Sequence, residues 1–174
     1  MPVSGAYLIE PEPIADERGL FARTFCAEEF ARRGLDARVS QCNTSANRRA
    51  GTLRGMHYQA APHGEAKLVR CTRGAIFDVA VDLRPSSSTY LRWAGAELTA
   101  DNRQAFFIPA GCAHGFQTLA DDSEVLYQMS TPFVPGAGRG VRWNDPAFGI
   151  TWPEPPPLGR TISERDRVYP DLTP

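Results

Sequence analysis

The stretch from Gly74 to Arg84 constrains the fold more than any other part of the chain. Ala75, Phe77, Val79, Val81 and Leu83 fall on one face, and Asp78, Ala80, Asp82 and Arg84 on the other. That period of two predicts a half-buried strand. Similar short runs occur at Tyr7–Glu10, Leu20–Phe25, Leu53–Gln59, Lys67–Thr72, Tyr90–Leu98, Ala105–Ile108, Gly115–Leu119 and Val125–Met129. Turn chemistry separates them: Arg73-Gly74, Pro85-Ser86-Ser87-Ser88, Asp101-Asn102, Pro109-Ala110-Gly111 and Asp121-Asp122. Many short strands at close spacing predict an all-β sandwich or barrel, and a jelly roll is one way to fold them. In the first half only Ala27–Arg33 is expected to be helical, with Gly34 as its stop. The tail carries Pro153, Pro155, Pro156 and Pro157, so it should be extended and packed on the body.

No repeat or linker divides the chain, and 174 residues suit a single domain over 1–174. The formal net charge of −1 gives no basic surplus, which argues against a nucleic-acid partner. Met1 to Ala6 lacks the charged and apolar regions of a signal peptide, and no apolar run approaches a membrane span. The expectation is a cytoplasmic protein with no membrane partner. Cys26, Cys42, Cys71 and Cys112 are scattered and contain no CxxC pair. They are expected to be thiols in a reducing compartment, not a disulfide framework or a zinc site.

The chain has three histidines, and a histidine alone is more often structural than functional. His63 sits in Pro62-His63-Gly64, a turn. His114 sits in Ile108-Pro109-Ala110-Gly111-Cys112-Ala113-His114-Gly115-Phe116. A strand, then Pro-x-Gly-x-x-His, then another strand resembles the second motif of the cupin superfamily, whose metal-binding members use that histidine as a ligand. They also carry a His-x-His pair, and this chain has none. A first-row metal needs three or more convergent ligands, so no metal and no cofactor are expected.

His57 lies in Leu53-Arg54-Gly55-Met56-His57-Tyr58-Gln59, with Lys67 on the next predicted strand. Arginine suits bidentate phosphate binding, and lysine suits a point charge beside an oxyanion. The alternative is that Arg54 and Lys67 are solvated rim charges. Strict alternation sets Arg54 and His57 on opposite faces. Both reach one site only if the strand bulges or ends nearby, and Gly55 permits a bulge.

These motifs belong to a longer ordered set. Asp16-Glu17-Arg18-Gly19-Leu20-Phe21, Gln41-Cys42-Asn43-Thr44-Ser45, the His57 segment, Lys67-Leu68-Val69, Asp78-Val79-Ala80-Val81-Asp82-Leu83-Arg84, the His114 segment, Trp143-Asn144-Asp145-Pro146 and Ile162-Ser163-Glu164-Arg165-Asp166 follow one another over nearly the whole chain. In that order they resemble the dTDP-4-dehydrorhamnose 3,5-epimerase family. The resemblance implies a metal-free cupin-type jelly-roll barrel, usually a homodimer, acting on a nucleoside-diphosphate 4-keto-6-deoxy sugar. It implies that His57 is the base, paired with Asp166, and that Lys67 lies near the keto oxygen. Arg54 and His114 match positions that contact the diphosphate or sugar. Arg18, Gln41 and Asn43 match positions that hold the nucleotide, partly across the dimer. Arg165 stands where the family usually has lysine. The non-catalytic reading of Asp166 is a helix cap in Ser163-Glu164-Arg165-Asp166.

The chemistry suits these residue types. A proton beside a ketone is acidic because its removal makes an enolate, which calls for a base and a positive charge at the oxyanion. A carboxylate behind a neutral imidazole fixes its tautomer and stabilises the imidazolium. Inversion also needs an acid on the opposite face. The family's usual acid is a tyrosine six residues after the Tyr of its Leu-Tyr-Lys segment. Here the segment is Leu126-Tyr127-Gln128 and that position is Phe133, which has no proton to give. Three explanations stay open: Tyr127 or a water supplies the proton, only one centre is inverted, or the fold serves another reaction or binding alone. Arg23, Glu65 and Gly138 also depart from the family pattern and bear on which nucleotide and sugar are accepted. Other readings are a ketoisomerase on related substrates and a metal-dependent oxygenase.

Overall fold

Short strands follow one another as the turn spacing requires. The computed structural model describes residues 1–172. The strands are β1 (Tyr7–Ile9), β2 (Ile14–Asp16), β3 (Gly19–Phe21), β4 (Gln41–Asn47), β5 (Thr52–Gln59), β6 (Lys67–Arg73), β7 (Ala75–Asp82), β8 (Trp93–Thr99), β9 (Ala105–Ile108), β10 (Cys112–Thr118), β11 (Ser123–Met129), β12 (Gly138–Gly140) and β13 (Thr161–Ile162). Two short helices accompany them, α1 (Ala27–Arg32) and α2 (Glu164–Arg167). One sheet runs β1-β9-β6-β11-β4. The other runs β12-β5-β10-β7-β8, with β13 added in parallel to β5. The hairpin β2-β3 pairs with neither sheet.

The two sheets face each other across an apolar core drawn from β6 to β11, including Val69, Ile76, Ala80, Leu98, Phe106, Ile108, Phe116 and Val125. Each of the Val, Ile, Leu and Phe side chains among them, fully buried, contributes about 1.5–3 kcal/mol. The outer faces are covered too. Trp152, Phe148 and Val141 pack over Leu53, Met56, Val79, Val81 and Ala113 of the second sheet. Phe30 of α1 covers Leu68, Ala105 and Phe107 of the first.

That second layer corrects the expectation for β7. The strand is not half-buried: Val79, Ala80, Val81, Asp78 and Asp82 are all fully buried. Its Phe77-Val79-Val81 face turns outward under Trp93 and Trp152, and its Asp78-Ala80-Asp82 face turns into the barrel. Alternation was the right signal, but the apolar stripe packs against the C-terminal segment instead of filling the barrel. The acidic stripe is tolerated because each carboxylate has an internal partner. Asp78 meets His114, while Asp82 accepts from Arg84, Ser87 and Thr89.

Other elements refine the sequence reading. The helix ends at Arg32 and Gly34 follows with φ +72°, the left-handed stop expected there. Strand β10 begins at Cys112, so His114 lies inside a strand and not in the loop before one. β4 was not expected. Its sequence, QCNTSAN, carries no apolar alternation. Its partly buried residues Gln41, Asn43 and Ser45 and its buried Asn47 are all polar, and they lie on the face away from solvent beside β11. The proline-rich segment crosses the body without helix: the Pro153 carbonyl accepts from Gln117 and Arg160. It then turns back to supply β13 and α2.

Candidate active site

The site is built where β4 and β5 bring polar residues to the interior. On β5, of the two ways left open, the strand bulges instead of ending nearby. Arg54 pairs with Phe116 and His57 with His114, so Gly55 and Met56 together oppose Gly115 alone. Arg54 and His57 therefore share the inward face despite their odd spacing. Gly55 adopts φ +138°, and a Cβ there would lie 2.5 Å from the Gly115 Cα. Only glycine meets both conditions.

α2 delivers the carboxylate. Ser163 caps the helix by accepting from the Asp166 backbone N–H at 3.1 Å. The capping motif is thus present, yet the Asp166 side chain is used elsewhere. Its Oδ2 accepts from the Gly55 N–H at 3.2 Å, and its Oδ1 lies 2.7 Å from His57 Nε2. Burial opposes ionisation of Asp166, but the hydrogen bond and charge of His57, the Gly55 N–H and Arg165 outweigh it and hold the carboxyl below its usual range. An ionised carboxylate only accepts, so His57 Nε2 is the donor in this contact and Nδ1 is the ring nitrogen turned away from Asp166. The His57 side chain is 35% exposed and that of Asp166 only 6%. The arrangement is a partly exposed imidazole backed by a buried carboxylate.

Lys67 approaches from β6. Its ammonium is buried, 2.6 Å from Glu65 Oε1 and 3.4 Å from the His57 carbonyl oxygen. It is therefore no rim charge. The other Glu65 oxygen accepts from the Gln59 N–H. Arg54, by contrast, is exposed, and its Nε donates to Asn47 Oδ1 at 2.8 Å, linking β5 to β4. His114 is 7% exposed and its Nε2 is 2.7 Å from Asp78 Oδ1. Burial pushes the Asp78 carboxyl up, against the pull of His114 and Lys67.

Tyr127 stands on the inward face of β11, opposite Asn43 on one side and Val69 on the other. Burial raises its phenol above the ordinary value, with Arg54 acting in the opposite sense. The phenol is consequently protonated at neutral pH. Asn43 donates to Met129 Sδ, and Gln41 Oε1 accepts from the Phe133 N–H at 2.7 Å. The Phe133 ring is 59% exposed.

Of two further predicted binding residues, one stands apart and one borders the His57–Asp166 pair. Arg18 lies at the tip of the β2-β3 hairpin and pairs with Asp16. Arg165 turns to Tyr169, donating to its hydroxyl at 2.7 Å, and its Nε is 4.0 Å from Asp166. Tyr169 itself was not anticipated, although its ring lies edge-on to His57 with centroids 5.9 Å apart. Asp78 and Asn47 were also missed as site partners. Asp78 carried a signal, being a charge in the middle of an alternating strand; Tyr169 carried none.

The dTDP-4-dehydrorhamnose 3,5-epimerase family model matches residues 1–173. A dTDP-4-dehydrorhamnose 3,5-epimerase of Methanothermobacter thermautotrophicus is 47% identical over 171 residues, covering 98% of this chain and 91% of the relative. A crystal structure of dTDP-4-dehydrorhamnose 3,5-epimerase from Elizabethkingia anophelis superposes with a TM-score of 0.94 at 36% identity, covering 99% of this chain and 93% of that one. ChmJ, a 3′-monoepimerase from Streptomyces bikiniensis solved in complex with dTDP-quinovose, superposes with a TM-score of 0.89 at 34% identity, covering 98% and 85% of the two chains.

Proposed function

The chain belongs to the dTDP-4-dehydrorhamnose 3,5-epimerase family, and on that premise we propose that it epimerises a nucleoside-diphosphate 4-keto-6-deoxy sugar by removing and returning a proton beside the ketone. dTDP-4-dehydro-6-deoxyglucose is the substrate this reading favours. The observation that carries it is the His57–Asp166 pair, a partly exposed imidazole held at 2.7 Å by a buried carboxylate.

His57 Nδ1 takes the proton at C3 or C5. Asp166 stabilises the imidazolium that forms, and Lys67 places a positive charge beside the developing enolate oxygen. Tyr127, protonated at neutral pH, returns a proton from the opposite face. Arg54 and His114 meet the diphosphate or sugar, and Gln41, Asn43 and Arg18 hold the nucleotide. Binding energy from the diphosphate end positions the reacting carbon.

A second reading has a specific observation behind it. Phe133 offers no proton, which favours a single-centre epimerase; ChmJ, with a similar fold, is described as a monoepimerase. The test is the stereochemistry of the product of dTDP-4-dehydro-6-deoxyglucose by proton NMR. Inversion at C3, at C5 or at both supports the reading, and loss of inversion in His57→Ala supports the base. An unaltered substrate would leave a binding-only protein.

The reading extends to a homodimer in the cytoplasm. The unpaired β2-β3 hairpin exposes Ile14 and Phe21, each 71% accessible, beside a groove of about 910 Å³ that also reaches Phe25, Phe30 and Arg70. A second copy seated there would cover the hairpin and bring Arg18 to a neighbouring site. Light scattering at micromolar concentration checks this, and a monomer would remove it.

A further inference from the structure

We propose that Tyr169 is a positioning residue for the base: its ring braces the His57 imidazole, and its hydroxyl keeps the Arg165 guanidinium at 4.0 Å from Asp166, short of direct hydrogen bonding. The inference rests on His57 being the base, as argued above. Three independent features meet at this tyrosine.

The first is the ring contact, edge-on at 5.9 Å with an interplanar angle of 70°. Such pairs favour one orientation beyond simple burial. The second is space reserved for it. Gly140 is the residue opposite His57 in the β5-β12 ladder, and a Cβ there would lie 2.3–2.7 Å from the Tyr169 ring carbons. The glycine is needed for room, not for its backbone angle, and the room is filled by this ring.

The third is the placement of Arg165. Its Nε donates to the Tyr169 hydroxyl at 2.7 Å and its guanidinium lies 5.7 Å from the ring centroid. The same Nε is 4.0 Å from Asp166 Oδ1, the oxygen that His57 uses. Arg165 is mostly exposed and its side chain is long, so a small rotation brings it onto that oxygen. A guanidinium there competes with the imidazolium for one carboxylate. The tyrosine hydroxyl gives Arg165 another partner.

The other charged groups around His57 are already committed. Arg54, on the same inward face of β5, donates its Nε to Asn47 Oδ1 at 2.8 Å. Lys67 is paired with Glu65 and reaches only the His57 carbonyl, and Asp78 is paired with His114. On β12 the Arg139 guanidinium goes to the carbonyls of Gly136 and Gly138. Arg165 is therefore the cation whose position can change at Asp166.

The test is proton NMR titration of the His57 ring in the full chain without substrate, its signal assigned by its absence in His57→Asn. Tyr169→Phe keeps the ring and removes the hydroxyl. It is expected to lower the His57 midpoint by on the order of half a pH unit or more, because Arg165 then weakens the anion behind the imidazolium. Adding Arg165→Gln to that variant is expected to return the midpoint to the wild-type value or above it. A merely structural tyrosine gives no such rescue. Because no substrate is used, failure of the epimerase reading leaves the titration interpretable. An unchanged midpoint in Tyr169→Phe, or a shift that persists in the double variant, overturns the proposal.

Discussion

Arg54 and His57 lie three residues apart on one strand and still face the same interior, because Gly55 and Met56 oppose the single residue Gly115. The site depends on this extra residue. Without it, regular alternation sends one of the two side chains to the outer layer, where Leu53 and Met56 pack.

Gly55→Ala should therefore damage both fold and site. The new Cβ meets the Gly115 backbone at 2.5 Å, and φ +138° is disfavoured for alanine. A loss of more than about 2 kcal/mol is expected, measured by denaturant unfolding. Unfolding at the wild-type midpoint would contradict the account of the bulge.

Asp166→Asn separates the carboxylate from the cap. Ser163 still accepts from the backbone N–H of residue 166, so α2 should survive. The amide cannot stabilise the imidazolium and presents its NH2 or carbonyl without the former charge. The rate of proton exchange should fall by about 10²–10⁴-fold with circular dichroism unchanged. A loss below tenfold would mean His57 works without its partner.

Lys67→Met tests the oxyanion charge. The deletion is expected to lower the exchange rate by about 10²–10³-fold. It also leaves Glu65 buried without its cation, which should lower the melting temperature. Lys67→Met/Glu65→Gln should recover stability but not rate. Recovery of both would assign Lys67 a structural role alone.

The β strands are largely legible because turn residues punctuate them, and the motifs single out His57, Lys67 and Asp166, which the fold brings into one region. The parts that were not follow from three-dimensional cover. β4 lacks apolar alternation because the positions it turns from solvent, Gln41, Asn43, Ser45 and Asn47, are all polar. The outward turn of Phe77, Val79 and Val81 depends on Trp152 arriving from far along the chain. Tyr169 follows three residues after Asp166 with no pattern of its own, and only the packing on Gly140 reveals it.

Phe133→Tyr bears on the number of centres inverted. If the missing phenol restricts the reaction to one centre, the variant should invert a second, read as a new product by proton NMR. An unchanged product would indicate that Tyr127 or a water already serves.

Stability should fall in acid through Asp82. Burial opposes its ionisation, but Arg84, Ser87 and Thr89 together hold the carboxyl well below its usual range. A depressed folded pKa gives stability that is present above the unfolded value of about 3.9 and is lost as pH falls through the folded one. Asp82→Asn should cost about 2–4 kcal/mol at neutral pH and flatten the acid loss below about pH 4. An unaltered acid profile would place the sensitive group elsewhere.

The most direct test is proton NMR of dTDP-4-dehydro-6-deoxyglucose incubated with the protein in deuterated water. The account predicts deuterium at C3, at C5, or at both, with none incorporated by His57→Ala. Absence of deuterium at either carbon with the wild-type chain, or exchange at the wild-type rate without His57, would contradict it.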